Sequence, residues 1–422
     1  MTHSAIRPVA MLALAILAAC DDGAPTSPAA TALTSGEAAG TTSETIPEGG
    51  PWARILEGET GPGSRYALYL PAQWNGAAVY YAHGFRDAAS PVDLRDQDGL
   101  YTLRDALGAA GYAVAYSSYS ANGFVVKDGA QRTHQLRGLL ASALGAMPSR
   151  HFAVGHSLGG GIALDLVQTF PGQYDGALLV CGMVGGSSAQ TQYLGHVRAL
   201  ADLYFPGRFP GNAIDVPDGT VITLPQVVGA VQSNPTGLYA IASMSQTPLP
   251  YVPGNVFDPA SPAFQTLVGS LYGALSFHAR GIDDVVGLVH GKSPFGNDDT
   301  VYEPRAGAPL PGATAGQLAA IANVAVTRYA LDPSAANYLE RHFTPSGQLA
   351  VPVLTVHNLW DPAVPAFHED LLAERVNAAG ASSRLLQRRV PSYGHCALPT
   401  PMLLQAFDDL TTWAATGVRP AQ

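Results

Sequence analysis

Charged side chains are scarce in this chain, and positive charge is scarcer than negative. Of 422 residues only 13% are Asp, Glu, Lys or Arg, and 32 acidic residues outnumber 22 Lys and Arg, for a net charge of −10. No run of positive residues is longer than the pair Arg388-Arg389. Nucleic acids and anionic membrane surfaces require clustered cations, so the sequence excludes both as direct partners and predicts a neutral or weakly charged small-molecule ligand.

Cysteine and metal-binding motifs are equally sparse. Three cysteines are too few for a disulfide-rich scaffold, whereas the 47% hydrophobic content supports a sizeable core. Twelve histidines are present, but none is spaced as H-x-x-x-H or H-E-x-x-H, the pairs that place two zinc ligands on one helix face. We therefore predict neither a metal ion nor an organic cofactor.

An apolar run near the amino terminus extends from Val9 to Ala19 behind the single positive residue Arg7. It is too short to span a bilayer, so residues 1–19 are predicted to be a signal peptide removed on export. The run ends in L-A-A-C, which resembles a bacterial lipobox and implies a lipid on Cys20. That resemblance predicts anchoring to a bacterial membrane, in the periplasm or at the cell surface. The alternative is an ordinary signal peptide in which Cys20 is incidental.

The remaining chain divides into a tether, a core and an insertion. Residues 20–50 are mostly Ala, Thr, Ser, Gly and Pro, a composition that predicts a flexible tether. Strand and helix patterns alternate over 51–185 and again over 346–422, which predicts an α/β fold whose mostly parallel sheet has helices on both faces. Residues 186–345 carry frequent Pro and Gly with only short helical patterns, and because a structureless loop of that length is implausible we expect a cap with its own local structure.

The sequence GHSLG over 155–159 fits the nucleophile elbow G-x-S-x-G, with Ser157 at its centre. An apolar strand pattern ends at Val154 and a helical pattern begins after Gly161, which is the context that makes this motif informative. We therefore predict Ser157 as a catalytic nucleophile, with a glycine-rich turn carrying an incidental serine as the alternative.

A serine hydroxyl needs a general base, and the base needs a group that fixes its orientation. In folds that carry a serine on such an elbow, the acid and then the histidine follow the serine along the chain, each after a late strand. Asp361 lies a few residues past the strand pattern over 351–356, and His395 lies past the next strand, so the predicted triad is Ser157, Asp361 and His395. The other histidines considered as the base are His83, His156 and His357. The other acids considered as the orienting group are Asp283, Asp284, Glu369 and Asp370.

Acyl transfer also needs backbone N–H groups that bind the oxyanion. Leu158, which follows the serine, is predicted to supply one. The H-G-F turn at 83–85 follows the earlier buried strand, and Phe85 is the candidate for the second donor.

These residues together resemble the α/β-hydrolase superfamily over about 53–185 and 350–416. The resemblance implies a serine hydrolase, but the superfamily includes esterases, lipases, thioesterases and peptidases, so it does not select a substrate. Cys396 directly after His395 resembles the tannase and feruloyl esterase group, in which that cysteine is bonded to one preceding the serine. Here His156 stands at that position.

Two cysteines remain after Cys20, and an oxidising compartment makes them candidates for a disulfide. Cys181 ends the strand that follows the nucleophile helix, and Cys396 follows the histidine, so both are expected at the same edge of the sheet. Two separate buried thiols are the alternative.

The sequence therefore predicts hydrolysis of a carboxylic ester through an acyl-Ser157 intermediate. The Tyr, Phe, Pro and Leu content of the insertion favours an apolar or aromatic small-molecule ester, although the same composition would serve packing of the cap. A peptidase of the prolyl-peptidase kind and a lipid-anchored binding protein on a decayed hydrolase scaffold remain as alternatives.

Overall fold

The computed structural model describes residues 32–33, 42–61, 63–95, 98–249, 252, 254–306 and 312–421. The predicted signal peptide and Cys20 lie outside these residues. The strands are β1 (Ala32–Leu33), β2 (Ser43–Thr45), β3 (Trp52–Gly61), β4 (Ser64–Pro71), β5 (Ala77–Ala82), β6 (Ala113–Ser117), β7 (Arg150–His156), β8 (Gly176–Val180), β9 (Val353–Trp360) and β10 (Leu385–Tyr393). The helices are α1 (Asp98–Ala109), α2 (Val126–Leu144), α3 (Leu158–Thr169), α4 (Ser187–Tyr204), α5 (Leu224–Ser233), α6 (Pro235–Met244), α7 (Pro262–Leu288), α8 (Gly312–Ala325), α9 (Pro333–His342), α10 (Phe367–Ala378) and α11 (Thr400–Thr416).

The central strands are continuous apolar runs because both of their faces are covered. In β5, Ala78 and Tyr80 point into a core that includes residues of α2, α3 and α10, whereas Val79 and Tyr81 point into a second core with α1 and α11. This alternation follows the two-residue period of a strand, and it places helices on both faces of the sheet. The predicted α/β class is confirmed.

The described strands form one mixed sheet in the order β1-β2-β3-β4-β6-β5-β7-β8-β9-β10. Pairing is parallel from β6 through β5, β7, β8 and β9 to β10, and antiparallel among β1 to β4 and between β4 and β6. The carboxyl ends of β5, β7, β8, β9 and β10 therefore meet at one edge, where parallel sheets commonly bind ligands.

Helices α4 to α9 connect β8 to β9 and account for most of the segment 186–345. Of these, helices α4 to α8 share a hydrophobic cluster drawn mainly from residues 193–326. The expectation of only short helical patterns here is wrong, since α4 has 18 residues and α7 has 27. The glycines of α7 suggested loops, but at two of the four, Gly269 and Gly273, the helix packs closely against neighbouring side chains, and such tertiary contacts outweigh low helix propensity.

The predicted tether, residues 20–50, includes residues that belong to the sheet. Within the described residues, β1 pairs with β2 and β2 pairs with β3, so parts of 20–50 add an antiparallel edge to the sheet. The side chains of β2 are polar and exposed or half-buried, and its attachment depends on backbone pairing together with an ion pair between Glu44 and Arg54 of β3. Backbone pairing leaves little hydrophobic signal in a sequence, which explains the error.

Among the described residues no helix has the length and apolar character needed to cross a membrane.

Candidate active site

Ser157 occupies the sharp turn between β7 and α3. Its backbone has φ 57° and ψ −123°, an uncommon conformation for a residue with a side chain. Three hydrogen bonds hold this turn: Ser157 N–H donates to the carbonyl of Val180 at 3.0 Å, and its own carbonyl accepts from the N–H groups of Gly160 and Met183, each at 3.0 Å. The serine side chain is thereby fixed at the carboxyl edge of the sheet.

The glycines around Ser157 are required by close contacts within the turn. A Cβ atom at Gly155 would lie 2.0 Å from the carbonyl oxygen of Gly159, and a Cβ at Gly159 would lie 2.0 Å from that of Ala82. Both contacts are with backbone and cannot be relieved by a rotamer change. The G-x-S-x-G spacing therefore reflects packing of α3 against β7 and β5.

His395 joins Ser157 to Asp361 in a continuous hydrogen-bonded chain. Its Nε2 lies 2.8 Å from Ser157 Oγ, and its Nδ1 lies 2.7 Å from Asp361 Oδ2. A carboxylate only accepts, so Nδ1 carries the proton and Nε2 is free to accept the serine proton. The structure thus brings together the three residues predicted as the triad.

Asp361 is completely buried and its second oxygen is also engaged. Oδ1 accepts the backbone N–H groups of Ala363 at 2.9 Å and Val364 at 3.0 Å. These bonds satisfy the carboxylate and fix its plane, so that Oδ2 faces the histidine.

The two residues predicted as oxyanion donors, Phe85 and Leu158, line the same cavity as Ser157. In the part of the chain that the structure describes, neither the Phe85 N–H nor the Leu158 N–H donates a hydrogen bond to the protein. Both groups are therefore available to bind an oxyanion formed at the serine.

The competing histidines have other partners. His83 stacks on Tyr119 with ring centroids 3.8 Å apart, the Nδ1 of His156 lies 3.2 Å from the hydroxyl of Tyr81, and burial lowers the pKa of both imidazoles to about 3. His357 is also buried, and its Nε2 donates to the carbonyl of Val364 at 2.8 Å. These contacts make each of them a packing or hydrogen-bonding group of the core.

The competing acids are likewise occupied away from His395. Asp283 and Asp284 accept backbone N–H groups of Val216 and Phe124. In α10, Glu369 pairs with His357, and Asp370 pairs with Arg389. The acid that contacts His395 is Asp361.

A cavity opens over Ser157, between the sheet edge and helices α4 and α7. It is lined by Phe85, Phe124, Ser157, Leu158, Met183, Gln190, Thr191, Leu194, Phe277, His278, Gly281, Ile282, Val285 and Val364. Most of these side chains are apolar and none carries a formal charge, since burial lowers the pKa of His278 to about 3. The cavity therefore suits an uncharged, apolar group attached to the reacting carbonyl.

Phe277 is a site residue that the sequence did not predict. Its ring meets the His395 ring edge-on, with centroids 5.3 Å apart and planes at 75°. It belongs to α7 of the insertion, which carries no motif. Only the fold shows that this helix passes over the triad.

Cys181 and Cys396 form a disulfide beside the histidine, with Cα atoms 5.2 Å apart. Cys181 follows β8, and its N–H donates to the carbonyl of Val356 at 2.8 Å, so one end of the bond is anchored in the sheet. The two sulfurs and His395 cluster closely enough to suggest a metal site. Because the sulfurs are bonded to each other, neither is a thiolate ligand.

Comparison with known proteins gives a distant structural likeness and nothing closer. No family model and no curated protein matches the chain. Solved structures similar to it include lipase A of Candida antarctica, at 13% identity and TM-score 0.43, covering 90% of this chain and 79% of that one. The rice cell wall degrading esterase LipA of Xanthomonas oryzae has 13% identity and TM-score 0.41, with 88% and 92% covered. Feruloyl esterase B of Aspergillus oryzae has 14% identity and TM-score 0.38, with 90% and 82% covered. Likeness at this level does not bear on function.

Proposed function

We propose that this protein is a serine esterase of the α/β-hydrolase type. The observation that carries the proposal is the hydrogen-bonded series Asp361–His395–Ser157, with distances of 2.7 and 2.8 Å, which ends on a serine that lines an apolar cavity. A nucleophile, its base and the group that orients the base lie within hydrogen-bond distance of one another, and the two residues predicted as oxyanion donors line the same cavity as the serine.

In the first half-reaction, the serine proton moves to His395 Nε2 as Ser157 Oγ bonds to the ester carbonyl carbon. The carbonyl oxygen becomes an oxyanion that accepts from the N–H groups of Phe85 and Leu158. The tetrahedral intermediate then expels the alcohol oxygen, which takes the proton from Nε2. The products of this step are a free alcohol and an acyl-Ser157 ester.

The second half-reaction repeats these steps with water. His395 Nε2 accepts a proton from water as the water oxygen attacks the acyl carbon. The same proton passes to Ser157 Oγ when the bond between Oγ and the acyl carbon breaks. A carboxylic acid is released and the enzyme is restored. Asp361 remains ionised and keeps the imidazole oriented throughout.

The cavity favours an ester of an apolar or aromatic acid or alcohol over a peptide. Phe85, Phe124 and Phe277 contribute aromatic walls, and the charged terminus of an aminoacyl group would lack a counter-charge among the lining residues. We therefore place a carboxylic ester ahead of an amide as substrate.

The test is a panel of p-nitrophenyl esters of increasing acyl length, run beside aminoacyl-p-nitroanilides, on the wild type and on Ser157→Ala. We expect ester turnover that rises with apolar chain length until the cavity is filled, and no turnover by Ser157→Ala. Substantial esterase activity in Ser157→Ala would reject the nucleophile, and preference for the anilides would replace the esterase by a peptidase.

We also propose that the protein is exported and held to a bacterial membrane by a lipid on Cys20. The support is the apolar run and lipobox-like ending of the sequence. The catalytic proposal does not depend on this anchor.

A further inference from the structure

Helix α4 of the insertion is bonded to the segment that follows Asp361. The hydroxyl of Tyr193 donates to the carbonyl of Pro362 at 2.7 Å, and the Nε2 of Gln190 donates to the carbonyl of Ala363, also at 2.7 Å. Gln190 and Tyr193 are three residues apart, hence on one face of the helix, and both are buried. Two consecutive peptide groups beside the acid are therefore fixed by the insertion.

The same short segment holds the carboxylate. The N–H groups of Ala363 and Val364 donate to Asp361 Oδ1 at 2.9 and 3.0 Å. The carbonyl of Val364 accepts from His357 at 2.8 Å, so the core supplies the third bond. A shift of this segment would move Asp361 relative to His395.

Helix α7 of the insertion also packs directly on this segment. A Cβ atom at Gly273 would lie 2.7 Å from Pro362 Cγ, so the backbone of α7 rests against the proline ring. The ring is rigid, and a side chain at Gly273 would displace it.

We propose that the insertion is a positioning element for the acid of the triad, with Tyr193 and Gln190 as its positioning residues. This inference rests on the proposed function, because alignment of Asp361 matters only if His395 acts as base. The insertion then has a second role besides lining the cavity, and activity requires it even for substrates too small to fill that cavity.

A change at Tyr193 can distinguish a positioning role of the insertion from a role in substrate binding. Gln190 lines the cavity, whereas Tyr193 is not among the lining residues. Burial raises the pKa of the Tyr193 hydroxyl, so it remains a donor at any pH of assay. The two ends of the Gln190 amide are both occupied, since its Oε1 accepts from His368 Nε2 at 2.9 Å, and substrate is not expected to bond to it.

The experiment compares Tyr193→Phe with Tyr204→Phe. Tyr204 is buried on the same helix and donates to the carbonyl of Leu318 at 2.8 Å, within the insertion and away from the acid. Each change removes one buried hydroxyl that donates to a backbone carbonyl, and the Tyr193 hydroxyl in addition contacts the side chain of Thr247. With a short p-nitrophenyl ester, we expect Tyr193→Phe to lower kcat roughly 10- to 100-fold, the scale expected for misplacing a reacting group, with KM unchanged. Tyr204→Phe should retain wild-type kcat.

A double-mutant cycle shows whether the effect passes through the acid. In an Asp361→Asn background, the change Tyr193→Phe should alter kcat by less than about twofold, because the group that it positions is already disabled. The inference is overturned if Tyr193→Phe and Tyr204→Phe have the same kcat, or if the Tyr193→Phe effect is undiminished in that background. If Ser157→Ala retains activity, the proposed function itself fails, which is a different result from either.

A second pair of variants tests the same inference without removing a hydrogen bond. Gly273→Ala places a methyl group against Pro362, whereas Gly287→Ala in the same helix meets nothing within 4 Å. We expect Gly273→Ala to lower kcat with KM unchanged and Gly287→Ala to be silent. Wild-type kcat in Gly273→Ala would count against the positioning role.

Discussion

At the scale of the residue, the candidate triad could be predicted from sequence because each member is tied to a strand end. Ser157 is marked by a motif whose glycines are required by backbone contacts, and Asp361 and His395 are marked by chain order. Tyr193, Gln190 and Phe277 could not be predicted in the same way. They reach the triad from a segment without a motif, through contacts that exist only in the folded chain.

The orienting role of Asp361 can be tested by a change that keeps its shape. In Asp361→Asn, the amide can donate to His395 Nδ1, which favours the tautomer that cannot accept the serine proton. We expect kcat to fall by about 10⁴-fold, as in triads generally. The matched control is Asp370→Asn, at an exposed acid on α10 that pairs with Arg389. Equal activity of the two variants would show that another acid orients the histidine.

At the scale of the element, strands and flanking helices of the core follow from patterns that the chain repeats. The run over 77–82 is apolar throughout because two cores cover it. Helix α7 escaped prediction because Gly269, Gly273 and Gly281 interrupt its apolar pattern. At Gly269 and Gly273 the helix lies so near Tyr393 and Pro362 that a Cβ would come within 2.8 Å of them. Propensity alone cannot anticipate that requirement.

The disulfide between Cys181 and Cys396 links the end of β8 to the residue after the base. It closes a loop with a sequence separation of 215 residues, for which loop-closure entropy gives a stabilisation of at most about 5.4 kcal/mol. We expect the double variant Cys181→Ser, Cys396→Ser to unfold at a lower denaturant concentration than the wild type. We also expect it to lose esterase activity, because the loop that carries His395 is then no longer bonded to the end of β8.

Peptide mapping without reductant checks the bond itself in the exported protein, with Cys20→Ala as the control that leaves it intact. Recovery of both cysteines as free thiols would show that the bond does not form in the exported protein. A double variant as stable and active as the wild type would show that the bond does not stabilise the loop that carries His395.

At the scale of the whole molecule, buried neutral histidines predict instability in acid. Burial lowers the pKa of four imidazoles to about 3, namely those of His83, His156, His278 and His368. The ordinary value is 6.5, so between about pH 6.5 and 3 these four sites bind more protons in the unfolded chain than in the folded one. The free energy of unfolding should fall with pH in that window, by up to about 1.4 kcal/mol per pH unit for each histidine.

Guanidinium unfolding at a series of pH values measures this slope. Replacing buried His278 by Gln should reduce the slope, whereas replacing exposed His290 by Gln should not. Other groups have raised pKa values and act in the opposite sense, since they bind protons first in the fold; they are His357, Asp165, Asp202, Asp283 and Asp284. Constant stability from pH 7 to 5 would refute the prediction.

Attachment of the whole molecule to a membrane is expected to depend on one thiol. Cys20→Ala should remove the lipid and leave unprocessed precursor or a soluble form, while esterase activity per molecule is unchanged. Fractionation and the mass of the amino-terminal peptide check this. A wild-type protein that is exported, fully soluble and free of acyl mass would reject the anchor.

The central claim is that His395 makes Ser157 nucleophilic, and covalent labelling by a fluorophosphonate tests it most directly. After brief exposure of the full-length protein, intact mass and peptide mapping should show one adduct, on Ser157. Ser157→Ala should gain no adduct, and His395→Gln should label far more slowly while remaining folded. Absence of labelling in the wild type, or labelling of His395→Gln at the wild-type rate, would contradict the account.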